Sequence, residues 1–185
     1  RYIVTHVVFT LSRDPRPVLD YGHLKAEIER CCEERSSRHS EERSDVGILT
    51  PALIRKVIIK IRKEKLPEPS VVGSAGSFFK NPVITLEHFA RIESAAKAEH
   101  GPDYKVPHYD LPDGTVKVPA AWMIEQCGWK GKRSGGAAVW EKQPLVLVNY
   151  TGNAYPEEII GLEKRIIASV KAKFGVDLHP EVEHV

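Results

Sequence analysis

The 185-residue chain carries 27 Lys and Arg against 25 Asp and Glu, a formal charge of +2, which is too small to single out a polyanion such as nucleic acid as its partner. With 42% hydrophobic and 28% charged residues it has an ordinary globular composition and enough apolar material for one or two small cores. No apolar run approaches the roughly 18 residues a membrane helix needs, and the start lacks the sections of a signal peptide, so neither membrane nor export is indicated and the cytoplasm is the expected location.

The sequence opens at Arg1 and goes straight into Tyr2-Ile3-Val4-Thr5-His6-Val7-Val8-Phe9-Thr10-Leu11, a β-branched and aromatic strand pattern. Starting without methionine or lead-in, it reads as a piece of a longer protein. Asp14-Pro15-Arg16-Pro17 stops the strand, and Leu24, Ile28 and Cys31 or Cys32 then recur at helical spacing. Glu33 to Asp45 mixes both charge signs with serines and reads as a solvated loop. The three cysteines, Cys31, Cys32 and Cys127, are odd in number and lack paired metal-ligand spacing. Buried helix thiols are therefore expected, with neither a disulfide framework nor a metal site.

Thr50 as N-cap and Pro51 in the first helical position open a helix with Leu53, Ile54, Val57, Ile58 and Ile61 on one face and Arg55, Lys56, Lys60, Arg62 and Lys63 on the other. Leu66-Pro67-Glu68-Pro69 breaks it, and Val71 to Pro82 is rich in turn residues. A second helix follows Thr85, carrying Leu86, Phe89, Ile92 and Ala96 and stopping at Gly101. Pro112-Asp113-Gly114-Thr115 marks a hairpin between a strand around Tyr109 and the strand Val116-Lys117-Val118, after which Pro119 starts a helix ending at Gly128. Strands at Ala137 to Trp140 and Leu145 to Val148 precede the longest helix, Pro156 to Phe174, which stops at Gly175. The tail from Val176 to Val185 alternates apolar and polar residues as a half-exposed strand would, with Pro180 at a bend or sheet edge. Helices and strands without a regular βαβ repeat predict an α+β fold.

Gly73-Ser74-Ala75-Gly76-Ser77 permits close backbone approach to a ligand, with Gly76 the candidate for contact with a cofactor and Ser77 presenting a hydroxyl. It has neither the Walker spacing nor the dinucleotide fingerprint, and most glycine-rich turns are only turns. The continuation Phe78-Phe79-Lys80-Asn81-Pro82 adds two aromatics able to pin the loop. Gly76 to Pro82 resembles the Gly-Ser-Phe-Phe-Lys-Asn-Pro signature of UDP-N-acetylenolpyruvoylglucosamine reductases, the MurB family, in its loop-bearing type. Lys65-Leu66-Pro67, Trp122 to Gly131, Gly136-Ala137-Ala138-Val139, Gln143 with Leu145 to Asn149, and Pro180-Glu181-Val182 follow in the family's order.

The resemblance runs from the first strand to the last residue and covers the carboxy-terminal half of such an enzyme; the family's amino-terminal pyrophosphate loop and substrate-carboxylate arginine have no counterpart in the sequence. It implies a flavin-region tail over residues 1–66, a substrate-binding domain over 67–175, and a strand returning to the flavin region over 176–185. The implied reaction is the NADPH- and FAD-dependent reduction of UDP-N-acetylglucosamine enolpyruvate to UDP-N-acetylmuramate in peptidoglycan synthesis, by a protein that is monomeric at full length and inactive without its FAD domain. Ser77 would protonate C2 of the enolpyruvyl group after hydride reaches C3, and Glu181 would help stabilise the enolic intermediate. Tyr21 would close over the diphosphate, Lys65 and Asn81 would contact the diphosphate and uracil side, and Gln143 would make a further substrate contact.

Against these roles stand ordinary ones: a turn serine at 77, a solvent-facing glutamate at 181, a surface tyrosine at 21 and a solvated lysine at 65. Three positions depart from the family pattern. Glu183 stands where a basic residue is frequent, Trp140 where histidine is expected, and Ser74 in place of a frequent asparagine. The rival functions are a noncatalytic UDP-sugar-binding module or inactive fragment, and a nucleic-acid binder using the basic face of the Leu53 to Lys63 helix.

Overall fold

The computed structural model describes residues 3–14, 16–19, 24–36 and 49–184, which divide into two compact units between Arg62 and Lys63. In the first unit, helix α1 (Leu24–Ser36) and helix α2 (Pro51–Lys65), whose last turn crosses the boundary, carry a small core of Leu24, Ile28, Leu53 and Val57. The start of α2 follows its sequence signal. Thr50 Oγ1 accepts from Leu53 N–H at 3.2 Å while the Thr50 carbonyl accepts from Ile54 N–H at 3.1 Å, and Pro51 has no N–H to leave orphaned. Cys31 and Cys32 are only half-buried, and neither forms a disulfide. The loop expected from Glu33 begins later, because α1 continues to Ser36; the rest of it lies outside the described residues.

The opening run is not a strand. Residues 3–12 form neither helix nor strand, and Ile3, Val8 and Phe9 are 90%, 93% and 77% exposed. A strand is held by the hydrogen bonds of a neighbour, and among the described residues none pairs with this run.

In the second unit, β1 (Gly73–Ser77), β5 (Arg133–Ser134), β6 (Ala137–Val139) and β7 (Val146–Asn149) form an antiparallel sheet in the order β1-β7-β6-β5. A smaller sheet has β4 (Thr115–Lys117) between β2 (Val83–Thr85) and β3 (Tyr109–Asp110). Helices α3 (Leu86–His100), α4 (Ala120–Gln126) and α5 (Pro156–Phe174) complete the unit, with α5 against β6 and β7. Helices combined with antiparallel sheets make the fold α+β. Its core centres on Phe79, Met123, Ile124, Leu147, Leu162, Ile166 and Val170, all at most 2% exposed, each large side chain contributing about 1.5–3 kcal/mol by leaving water.

The helix boundaries show why local signals suffice there. Thr85 Oγ1 caps α3 through His88 N–H at 3.2 Å, and Gly101 ends it with its N–H on the Lys97 carbonyl. Gly175, at φ 68°, ends α5 in the left-handed conformation that glycine adopts without strain. Pro119 proves to be the N-cap of α4, one residue before the helix starts. At the front of α5, Glu158 reaches back to Tyr155 N–H and across to Gly136 N–H, both at 2.8 Å, and so ties the helix to the turn between β5 and β6. A Cβ at Gly136 would lie 2.8 Å from Thr151 Oγ1 and 2.9 Å from Ala154 Cα, so glycine permits that close approach.

Two segments differ from the sequence reading. Gly73 to Ser77, expected as a turn, is a strand because β7 pairs with it at Gly73, Ser74 and Ser77 and pairing overrides weak propensity. The tail after Gly175 is not a strand, although Val176 and Leu178 are buried and Asp177 and His179 exposed, as alternation requires. Its pairing is an isolated bridge between Phe79 and Pro180, since proline has no N–H with which to extend a ladder.

Candidate functional site

Ser77 ends β1 beside an irregularity in the register. Ser74 faces Val148 and Ser77 faces Val146, so three steps on β1 match two on β7. The extra residue is absorbed at Gly76, whose φ of 76° suits a glycine bulge. A Cβ built on Gly76 meets nothing within 4 Å, so the backbone before Ser77 is open to approach. Immediately after Ser77, Phe78 and Phe79 are 3% and 2% exposed, their rings 5.3 Å apart. The serine is thus an exposed hydroxyl held between a bulge and two buried aromatic anchors.

Three backbone hydrogen bonds assemble the surroundings. Phe78 N–H donates to the Leu145 carbonyl at 2.8 Å, joining the serine segment to the loop between β6 and β7 that carries Gln143. Glu181 N–H donates to the Phe78 carbonyl at 2.8 Å, and Lys80 N–H to the His179 carbonyl at 2.9 Å. Glu181 therefore stands across from the residue that follows Ser77, with its side chain exposed. Gln143 is half-buried, and its carbonyl accepts from Val146 N–H at 2.9 Å to close the loop.

Lys65 reaches the same end of the sheet by an unexpected link: Trp140 Nε1–H donates to the Lys65 carbonyl at 3.0 Å. The tryptophan that departs from the family pattern anchors the lysine, leaving its ammonium exposed. Asn81 is committed differently. Its Oδ1 accepts from Ala120 N–H, the first residue of α4, at 2.9 Å, leaving the side-chain NH2 to donate elsewhere. Tyr21 lies outside the described residues. The structure thus brings Ser77, Gly76, Gln143, Glu181 and Lys65 to one end of the sheet, with Asn81 tying the turn to α4. The backbone links at Leu145 and His179 were invisible in the sequence, since any residue supplies a carbonyl; the indole donor of Trp140 was the one available signal.

A cleft of about 430 Å³ elsewhere in this unit, lined by His88, Arg91, Glu99, His100, Gln126 and Lys173 among others, contains none of these residues. Its polar groups are largely spent on one another: His88 Nε2 contacts the Phe174 carbonyl at 2.7 Å and Lys173 bonds Glu99 and the Gln126 carbonyl at 3.1 Å. It is a seam between helices. Cys127, at the end of α4, is half-buried, and burial pushes its thiol up despite the opposing charge of Lys173.

Chemically, the sheet end offers a hydroxyl, a carboxylate, an amide and a lysine on separately anchored segments. Such a set can hold an anionic substrate and move one proton. For a flavin, the open backbone at Gly76 fits the close approach of a flat ring. The glycine-rich stretch runs into buried phenylalanines and not into a helix N-terminus, so among the described residues it forms no pyrophosphate cradle of the usual dinucleotide type. No helix among the described residues is long and apolar enough to cross a membrane.

Comparison with known proteins shows the family to which the chain belongs. Residues 68–185 match the family described as UDP-N-acetylenolpyruvoylglucosamine reductase, C-terminal domain. The chain is 45% identical over 182 residues to the UDP-N-acetylenolpyruvoylglucosamine reductase of Bacteroides fragilis, with 98% of this chain and 48% of the relative covered. It is 48% identical over 186 residues to the protein of that name from Porphyromonas gingivalis, covering 100% and 48%, and 40% identical over 181 residues to that of Chromobacterium violaceum, covering 98% and 47%. The chain spans about half the length of the curated relatives it matches.

Proposed function

We propose, since the chain belongs to the UDP-N-acetylenolpyruvoylglucosamine reductase family, that it supplies the substrate-binding half of an oxidoreductase reducing UDP-N-acetylglucosamine enolpyruvate to UDP-N-acetylmuramate, a cytoplasmic step of peptidoglycan synthesis. On this reading residues 1–66 belong to the flavin-binding region, 67–175 to the substrate domain, and the last stretch returns to the flavin side. FAD, approaching the open backbone at Gly76 and reduced by NADPH, would supply a hydride to C3 of the enolpyruvyl group.

The chain's own residues orient the substrate and provide the proton. Lys65 pairs with the diphosphate as a point charge, with Asn81 and Gln143 donating or accepting beside it and Tyr21 closing over the phosphates. Ser77 gives its proton to C2. A serine hydroxyl is a weak acid, so the transfer depends on a strongly basic enolate held at hydrogen-bond distance in a site that excludes water. Glu181 stabilises the enolic intermediate from the neighbouring segment. The observation that supports this reading is the bond from Glu181 N–H to the Phe78 carbonyl, which joins the segment of the second proposed acid to the residue after the first across roughly a hundred residues of sequence.

Ser77→Ala in the full-length flavoprotein is expected to slow reduction of the enolpyruvate by roughly two or more orders of magnitude while flavin reduction by NADPH stays near wild type. Stopped-flow measurement of the two half-reactions checks this, and equal rates of enolpyruvate reduction would overturn the role.

A further inference from the structure

Glu163, in the middle of α5, is the one charged or polar side chain fully buried among the described residues, at 4% exposure. A lone carboxyl group in an apolar interior is costly and persists when it has a polar partner to meet. The group it meets is at the far end of the tail: Glu163 Oε2 lies 2.9 Å from His184 Nε2, an ion-pair distance though without hydrogen-bond alignment. His184 is half-exposed, so the pair joins a buried anchor to a mobile-length side chain at the surface.

The tail between them carries Glu181. It is held on one side by the bridge of Pro180 with Phe79 and the bonds of His179 and Glu181 to Lys80 and Phe78, and by Val182 against the core. Without a regular ladder, these few contacts leave the segment after Glu181 fastened mainly by Val182 and His184. We infer that Glu163 and His184 form a clasp that fixes the tail on α5 and so positions Glu181 against the Ser77 segment. Both are positioning residues, acting through the backbone of residues 181–184 and not on substrate. This rests on the proposed function only for its catalytic consequence; the mechanical part stands on the contacts alone.

Two readouts on the full-length protein test it separately. Amide hydrogen exchange at Glu181 and Val182 is expected to quicken roughly tenfold in Glu163→Leu, while the amides of α5 from Leu162 to Val170 keep their protection. Glu163→Leu combined with His184→Phe, an apolar pair in place of the polar one, is expected to restore slow exchange, because the two apolar side chains can pack on each other where the carboxyl and imidazole met. The rate of enolpyruvate reduction should fall and recover in the same order, with substrate KM changed less than kcat. Unchanged exchange at Glu181 in the single variant, or loss of protection throughout α5, overturns the clasp. If exchange responds as expected and the wild-type protein does not reduce the enolpyruvate, the clasp stands and the proposed reaction falls.

Discussion

Asn81 shows how one side chain can serve a fold and a site together. Its Oδ1 occupies the first N–H of α4, a group that would otherwise have no partner within the helix. Asn81→Ala should therefore destabilise the protein by about 1 kcal/mol, as loss of a helix cap does, and Asn81→Asp should keep most of that stability because the acceptor remains. Denaturant midpoints measure both; an unchanged midpoint for the alanine variant would leave Asn81 with no part in holding the turn. The asparagine was legible as a site candidate from its place in the Phe78 to Pro82 run, whereas its bond to residue 120 was not, because nothing local to either position encodes the other. Trp140 is the converse case. It stood out in the sequence as a departure, and the structure gives it a task through its bond to Lys65.

Among the elements, those specified by their own ends were the ones legible in advance. The caps Thr50 and Thr85, the stop residues Gly101 and Gly175, and the spacing of Leu162, Ile166 and Val170 are all local features. Segments whose state depends on a distant partner were misread: β1 gains strand character from β7, while among the described residues nothing pairs with the opening run and the tail has a single bridge, to Phe79. The β-hairpin fell on the legible side because Asp113 at its turn accepts from both the hydroxyl and N–H of Thr115, holding its carboxyl below the usual range. At the front of α5, the Gly136 N–H and then the Tyr155 N–H hold the Glu158 carboxyl below the ordinary glutamate value of 4.5. The pKa is depressed in the fold, so these bonds stabilise the protein fully above that value and the contribution is lost as the pH falls through the lower folded pKa. In a pH series of thermal midpoints, wild type should lose more stability than Glu158→Gln on going from about pH 5 to about pH 3; parallel curves would mean the ionised form is not the one the fold prefers.

For the molecule as a whole, family membership and α+β class could be read from ordered motifs, while the meeting of their residues required the three-dimensional path. The division between Arg62 and Lys63 separates the small α1–α2 core from the unit that carries the sheet end. Because the glycine-rich strand leads into Phe78 and Phe79 with no helix start for a pyrophosphate, the 185-residue chain purified alone is expected to bind a UDP-sugar in calorimetry while showing no flavin absorption. A yellow preparation of this chain would show that it holds the cofactor by another route. The tail's bond to Phe78 also has a meaning in time. Residues 78 and 181 can pair only after the roughly one hundred residues between them have collapsed into a folded body, since before that the loop closure has nothing to offset its entropy. Assembly of the proposed acid pair is thus a late event in folding, and a chain whose Glu181 amide is protected is one whose intervening domain is already complete.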